Sequence, residues 1–203
     1  MRIITTTSQA ALNDKTRTVY VLLMRSSTVF SRIIGGFTGA AYTHASIGLR
    51  PESDEFFSFA RRYTHFPFPA GFIKEELGKG VMGKNPLAPC ALYKVTVSKE
   101  AYDHLRDKLS DMLYRKKDYK YSVIGTFACF FNHSLERPNK YFCSQFVAYA
   151  LNYLGVVNLK KPFGLYRPAD FANQPELELC YIGTLGGLAR KFSRSSCPEP
   201  VAI

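Results

Sequence analysis

Six consecutive β-favouring residues, Val19-Tyr20-Val21-Leu22-Leu23-Met24, constrain the fold more than any other feature of the chain. A strand that is apolar at every position, rather than at alternate ones, has no face to give to water. The run therefore predicts a strand buried on both faces. It is far too short to span a bilayer, as is the other long apolar run, Ile124 to Phe131. A protein interior must hide it, and 203 residues suffice for one substantial core. Apolar residues at 46% and charged residues at 21% are ordinary for a folded domain, which leaves disorder only for the ends.

Beyond that strand, Ser26 or Ser27 caps an expected helix with Val29, Phe30, Ile33, Ile34 and Phe37 at helical spacing, ended by Gly35, Gly36 and Gly39. His44 to Leu49 and Phe56 to Ala60 read as an antiparallel hairpin about a polar turn, Arg50 to Glu55. Tyr63 to Phe72 is crowded with proline and phenylalanine and reads as an apolar-faced loop. A strand over Ala91 to Val97 follows. Then comes a helix capped by Ser98, with Tyr102, Leu105, Leu109, Met112 and Leu113 inward and Arg115, Lys116 and Lys117 at its end. Tyr121 to Phe131 fits helix and strand equally, and Asn132 to Lys140 is a polar loop. Cys143 to Leu154 is a second amphipathic helix, stopped by Gly155. Pro168-Ala169-Asp170-Phe171 reads as a turn or a short helical start. The expected organisation is an extension over 1–17, one α+β domain over 18–188 and a mobile basic tail over 189–203.

Five widely spaced cysteines form no CxxC pair, and the polar start from Met1 to Asp14 lacks the apolar core of a secretory signal. A reducing, cytoplasmic setting with free thiols is the expectation. Cys143 stands out because it opens a helix, where unpaired backbone N–H groups favour a thiolate and can receive an oxyanion. A thiolate needs an imidazole partner. His104 lies in the charged helix, His133 in the polar loop and His65 in the Pro/Phe loop. His44 opens a strand of small and apolar residues that would hold its ring firmly, and it is the strongest candidate of the four.

Thr43-His44-Ala45-Ser46-Ile47-Gly48-Leu49 and Tyr141-Phe142-Cys143-Ser144-Gln145-Phe146-Val147 resemble the histidine strand and cysteine helix of the circularly permuted, NlpC-type papain-like hydrolases. The histidine precedes the cysteine by about a hundred residues, which is the permuted order, and Pro168 to Phe171 resembles a motif that commonly follows the cysteine helix. The resemblance covers roughly Thr18 to Phe171. It implies an α+β fold with an antiparallel sheet packed against the cysteine helix. It also implies thiolate attack on an amide or acyl bond through a thioester, with no cofactor and no metal. Matching the hairpin puts Ser58 at the place of the third catalytic residue. Ser58 carries no charge to stabilise an imidazolium, and Glu55, Asp54 or Glu75 can supply one from nearby; the sequence leaves the choice open.

The net charge of +11 favours anionic neighbours. The expected partner is a peptide-like or acylated substrate, with an anionic surface or cell-wall polymer as a further candidate. The basic clusters are Arg115/Lys116/Lys117/Lys120, Lys160/Lys161 and Arg190/Lys191/Arg194. Tyr114, Tyr119 and Tyr121 lie near the first of these, but no nucleic-acid reader motif accompanies them, so nucleic acid is not expected. The competing readings are a lipid-acyl transferase or phospholipase of the same fold, and a non-catalytic module that binds an anionic polymer or membrane surface. Phosphate loops and HExxH or CxxC metal spacings are absent from the sequence.

Overall fold

A computed structural model describes residues 15–25, 41–50, 54–61 and 69–194. The helix expected from Ser26 or Ser27 to Phe37, and most of the Pro/Phe loop, lie outside these residues. Eight strands form one open sheet: β1 (Thr16–Met24), β2 (His44–Arg50), β3 (Glu55–Arg61), β4 (Ala70–Glu76), β5 (Pro89–Ser98), β6 (Lys120–Tyr121), β7 (Lys140–Tyr141) and β8 (Glu178–Thr184). Their spatial order is β7-β6-β4-β3-β2-β1-β5-β8. Every pair is antiparallel except β6 with β7, so the sheet is mixed and the fold is α+β.

The continuous apolar run explains itself here. β1 lies between β2 and β5 and is covered on both sides. Val19, Val21 and Leu23 enter a core beneath α2 (Lys99–Tyr114) and α4 (Cys143–Leu154). Tyr20, Leu22 and Met24 enter a second core on the opposite face, with Leu185, Leu188 and Phe192 of α5 (Leu185–Arg194) and Met82 of the one-turn α1 (Gly80–Gly83). Between them in sequence stands α3 (Val123–Phe130). No described helix is long and apolar enough to cross a membrane.

Local signals set the helix ends. Ser98 Oγ accepts the Ala101 N–H at 3.2 Å, and Tyr102, Leu105, Leu109 and Met112 form the buried stripe of α2. Tyr102 then donates its hydroxyl to the Leu49 carbonyl at 3.0 Å, tying α2 to β2. Gly155 ends α4 in the left-handed conformation, φ 69°, which a side chain would disfavour.

Several boundaries need correcting. Thr16 and Arg17 pair with Ser98 and Val97 of β5, so the expected extension loses two residues to β1. Ala70 to Phe72 belong to β4 rather than to a loop, because β3 offers β4 a full ladder from Arg61 to Glu55 and Phe72 fills the core. The tail does not begin at Ala189. Leu188 and Phe192 are buried four residues apart, so burial against the second face extends the helix to Arg194. Tyr121 to Phe131 splits: Tyr121 ends β6, Ser122 Oγ accepts the Gly125 N–H at 3.3 Å, and α3 follows.

Candidate active site

Cys143 is the first residue of α4, and the preceding Phe142 is extended and offers no side-chain cap. The first N–H groups of the helix are therefore left for whatever lies at its mouth. The helix start is fixed from three directions. Ser144 Oγ donates to the Tyr166 carbonyl at 2.7 Å, Gln145 Nε2 to the Leu135 carbonyl at 3.3 Å, and the Phe146 ring packs on Phe59 and Phe72 at 5.3 and 5.4 Å. The Pro168-Ala169-Asp170-Phe171 turn supports the first of these. Asp170 Oδ2 accepts from the Arg167 N–H and from Lys161 Nζ, both at 2.6 Å, while Phe171 stacks on Tyr166 at 5.6 Å.

Three neighbouring strands assemble the other half. Gly48 pairs with Phe56, and Phe56 with Glu75. Period-2 alternation then puts His44, Ser58 and Glu75 on one face of the sheet. All three are buried. His44 Nε2 and Glu75 Oε2 are 2.9 Å apart, and Ser58 Oγ donates to the same Glu75 oxygen at 2.6 Å. The other partner of the His44 side chain is Cys143. With Nε2 committed to Glu75, Nδ1 is the ring nitrogen left to serve the sulfur.

Ser58, which the resemblance puts at the third catalytic position, donates to the carboxylate that pairs with the imidazole, and that carboxylate is Glu75. Of the other carboxylates open to that role, Glu55 pairs with Lys74 at 2.7 Å, and Asp54 stands in the turn before β3 at φ 52° with one carboxylate oxygen buried and unbonded. Of the remaining histidines, His104 is exposed on α2, His133 is exposed beside the Phe131 carbonyl, and His65 lies outside the described residues.

Burial opposes every charge in this cluster, yet the pairs outweigh it. Burial lowers His44, but the Glu75 carboxylate and the Cys143 sulfur hold its pKa well above the ordinary 6.5. Burial raises Glu75, but the His44 charge and hydrogen bonds from His44 and Ser58 bring it below the ordinary carboxylate range. Burial likewise raises Cys143, and His44 together with the backbone amides of Ala45 and Ser144 lowers it. The three directions reinforce one another, the charge of each group favouring the charged form of its neighbour. Cys90 shows the contrast: burial alone pushes its thiol up to about 12.

Tyr121 completes the cluster and was noticed in the sequence only as an aromatic beside lysines. It pairs with Tyr141, two residues before Cys143, and burial and the charge of Cys143 raise its phenol, which keeps it a neutral O–H. Thr126 Oγ1 lies 3.4 Å from its hydroxyl. Among the described residues, no three His, Cys, Asp or Glu side chains are grouped as metal ligands. No family model, curated protein or solved structure matches the chain.

Proposed function

We propose that the chain is a cysteine hydrolase of the permuted papain-like, NlpC-type architecture, acting on an amide or acyl bond. The observation that carries this reading is one buried imidazole shared between the Cys143 sulfur and the Glu75 carboxylate. Cys143 is the nucleophile and His44 the acid–base group. Glu75 fixes the ring and balances its charge, and Ser58 holds Glu75. The thiolate attacks the carbonyl carbon, and the oxyanion that forms meets the N–H groups opening α4 and the Tyr121 hydroxyl. The His44 imidazolium protonates the leaving amine or alkoxide as its bond to the carbonyl breaks, leaving a thioester. Water, deprotonated by His44, then attacks the thioester carbon, releases the acid and regenerates the thiol. Cys90, Cys129 and Cys180 are buried as free thiols like Cys143, which suits a reducing cytoplasmic setting.

Thiol-directed probes bearing a peptide or an acyl ester, followed by mapping of the modified residue, test the assignment. The expected result is modification at Cys143 that is abolished in Cys143→Ala and slowed in His44→Ala, but not in His104→Ala. Equal labelling of all the cysteines in the folded protein would overturn the activated nucleophile. Turnover of either substrate class would then name the bond cleaved.

A further inference from the structure

We propose that α3 is a docking surface for an anionic lipid bilayer. The helix is apolar on both faces, which a helix at the surface of a globular protein ordinarily is not. Gly125 and Cys129, four apart, point inward and are buried. Ile124, Phe127 and Phe131, at spacings of three and four, share the outward face and are 61%, 50% and 68% exposed. Three large apolar side chains grouped on one exposed helix form a patch of the kind that marks an interaction surface. The other strongly exposed apolar residues, such as Leu87, Tyr114 and Ile182, stand on separate elements.

Charge around the helix selects the partner. At its start, Arg137 Nη2 donates to the Ser122 cap at 3.1 Å. At its end, Arg167 Nη2 donates to the Cys129 carbonyl and to Asn132 Oδ1 at 3.3 and 2.9 Å. Lys120 and Lys140 face each other across the parallel β6–β7 pair that leads into the helix, an arrangement of like charges that costs stability unless an anion lies near. None of these four cations is paired with a carboxylate among the described residues. By contrast, Arg115 pairs with Asp118 and Lys161 with Asp170 in the more conspicuous basic clusters. Glu136 is the only acidic side chain between Ser122 and Tyr141, and its Oε1 lies 3.4 Å from the Gly164 N–H. An apolar helix face with cations at both of its ends matches the boundary between acyl chains and anionic headgroups.

Docking at α3 holds the site at the membrane, since Tyr121 ends the strand just before the helix and pairs with Tyr141, two residues before Cys143. The surface itself requires no turnover, so its test is separate from that of the nucleophile. The full chain is sedimented with vesicles of phosphatidylcholine alone and with vesicles that also contain phosphatidylglycerol. Binding is expected to the anionic vesicles and to weaken as salt is added. The double variant Ile124→Ser/Phe131→Ser should lose affinity by at least about tenfold, given the apolar area withdrawn from the lipid. Tyr114→Ser, at a residue 91% exposed on α2, should bind as the parent does. Unchanged Cys143 alkylation in the double variant checks that its fold is intact. Wild-type protein that ignores both vesicles, or a double variant that binds as well as the parent, overturns the proposal. So does self-association in solution that the double variant abolishes, because a second copy would then be the occupant.

Discussion

At the scale of single residues, the site is a chain of dependencies that ends on Glu75. Its negative charge stabilises the His44 imidazolium, and the imidazolium stabilises the Cys143 thiolate. Removing the charge should therefore lower His44 and raise Cys143. In Glu75→Gln, the pH midpoint of Cys143 alkylation should move up toward an ordinary thiol near ~8.5, with the neutral-pH rate falling by about tenfold or more. Ser58→Ala should shift the profile in the same direction but less, because it removes one hydrogen bond to the carboxylate and no charge. A Glu75→Gln profile that overlies the parent would show that another group holds the ring. Stability carries the same signature. Glu75, held low, stabilises the fold above about 4.5 and loses that contribution as pH falls through its native pKa. His44, held high, contributes fully below about 6.5 and loses its share as pH rises through its own. His44 and Cys143 were legible in the sequence because each opens an element with a strong local pattern. Glu75 was legible only as one of three carboxylates near the hairpin, because a buried carboxylate occupies the very position where β4 would otherwise show an apolar residue beside Ile73.

At the scale of elements, the strand that carries His44 depends on a close approach at Gly48. A Cβ there would stand 2.8 Å from the Phe56 ring and 3.3 Å from the Glu55 carbonyl oxygen. Phe56 is itself buried, so its ring has little room to move. Gly48→Ala should cost about 1–3 kcal/mol, as overpacking does in a filled core. It should also slow Cys143 alkylation by disturbing the hairpin, and urea unfolding followed alongside labelling measures both. A stability equal to the parent would mean that β2 and β3 separate more easily than their register implies. The amphipathic helix α4 was readable to the residue, and α2 at its Ser98 start, because each has one apolar stripe; α2 stops at Tyr114, before the Arg115, Lys116 and Lys117 expected to close it. α3 resisted because both of its faces are apolar, which removes the periodicity that separates helix from strand. β8 and α5 were missed for a related reason. Gly183, Gly186 and Gly187 weaken the local propensity, and tertiary burial makes up the difference.

At the scale of the whole molecule, one sheet carries two cores, and the site draws on both faces: Cys143 opens a helix on one, while His44 and Glu75 pair with Met24 and Phe56, whose side chains enter the other. The face beneath α2 and α4 seats the cysteine helix, while the opposite face closes over Tyr20, Leu22 and Met24 with α5. Because alternate residues of the same strand feed both, neither core can come apart without exposing β1. Unfolding should then be a single cooperative transition. Phe192→Ala provides the test, since its ring is buried in the second core and it lies on the helix that the sequence pattern assigned to the tail. The expected cost is about 3–5 kcal/mol, the range for deleting a buried aromatic ring. The transition should stay single in urea whether it is followed by far-UV circular dichroism or by total thiol exposure. Under native conditions the alkylation rate of Cys143 should match the parent, because α5 supplies nothing to His44, Glu75 or the mouth of α4. Two separate transitions in the variant would mean that the second core is an accessory layer and that the face beneath α2 and α4 is stable without it.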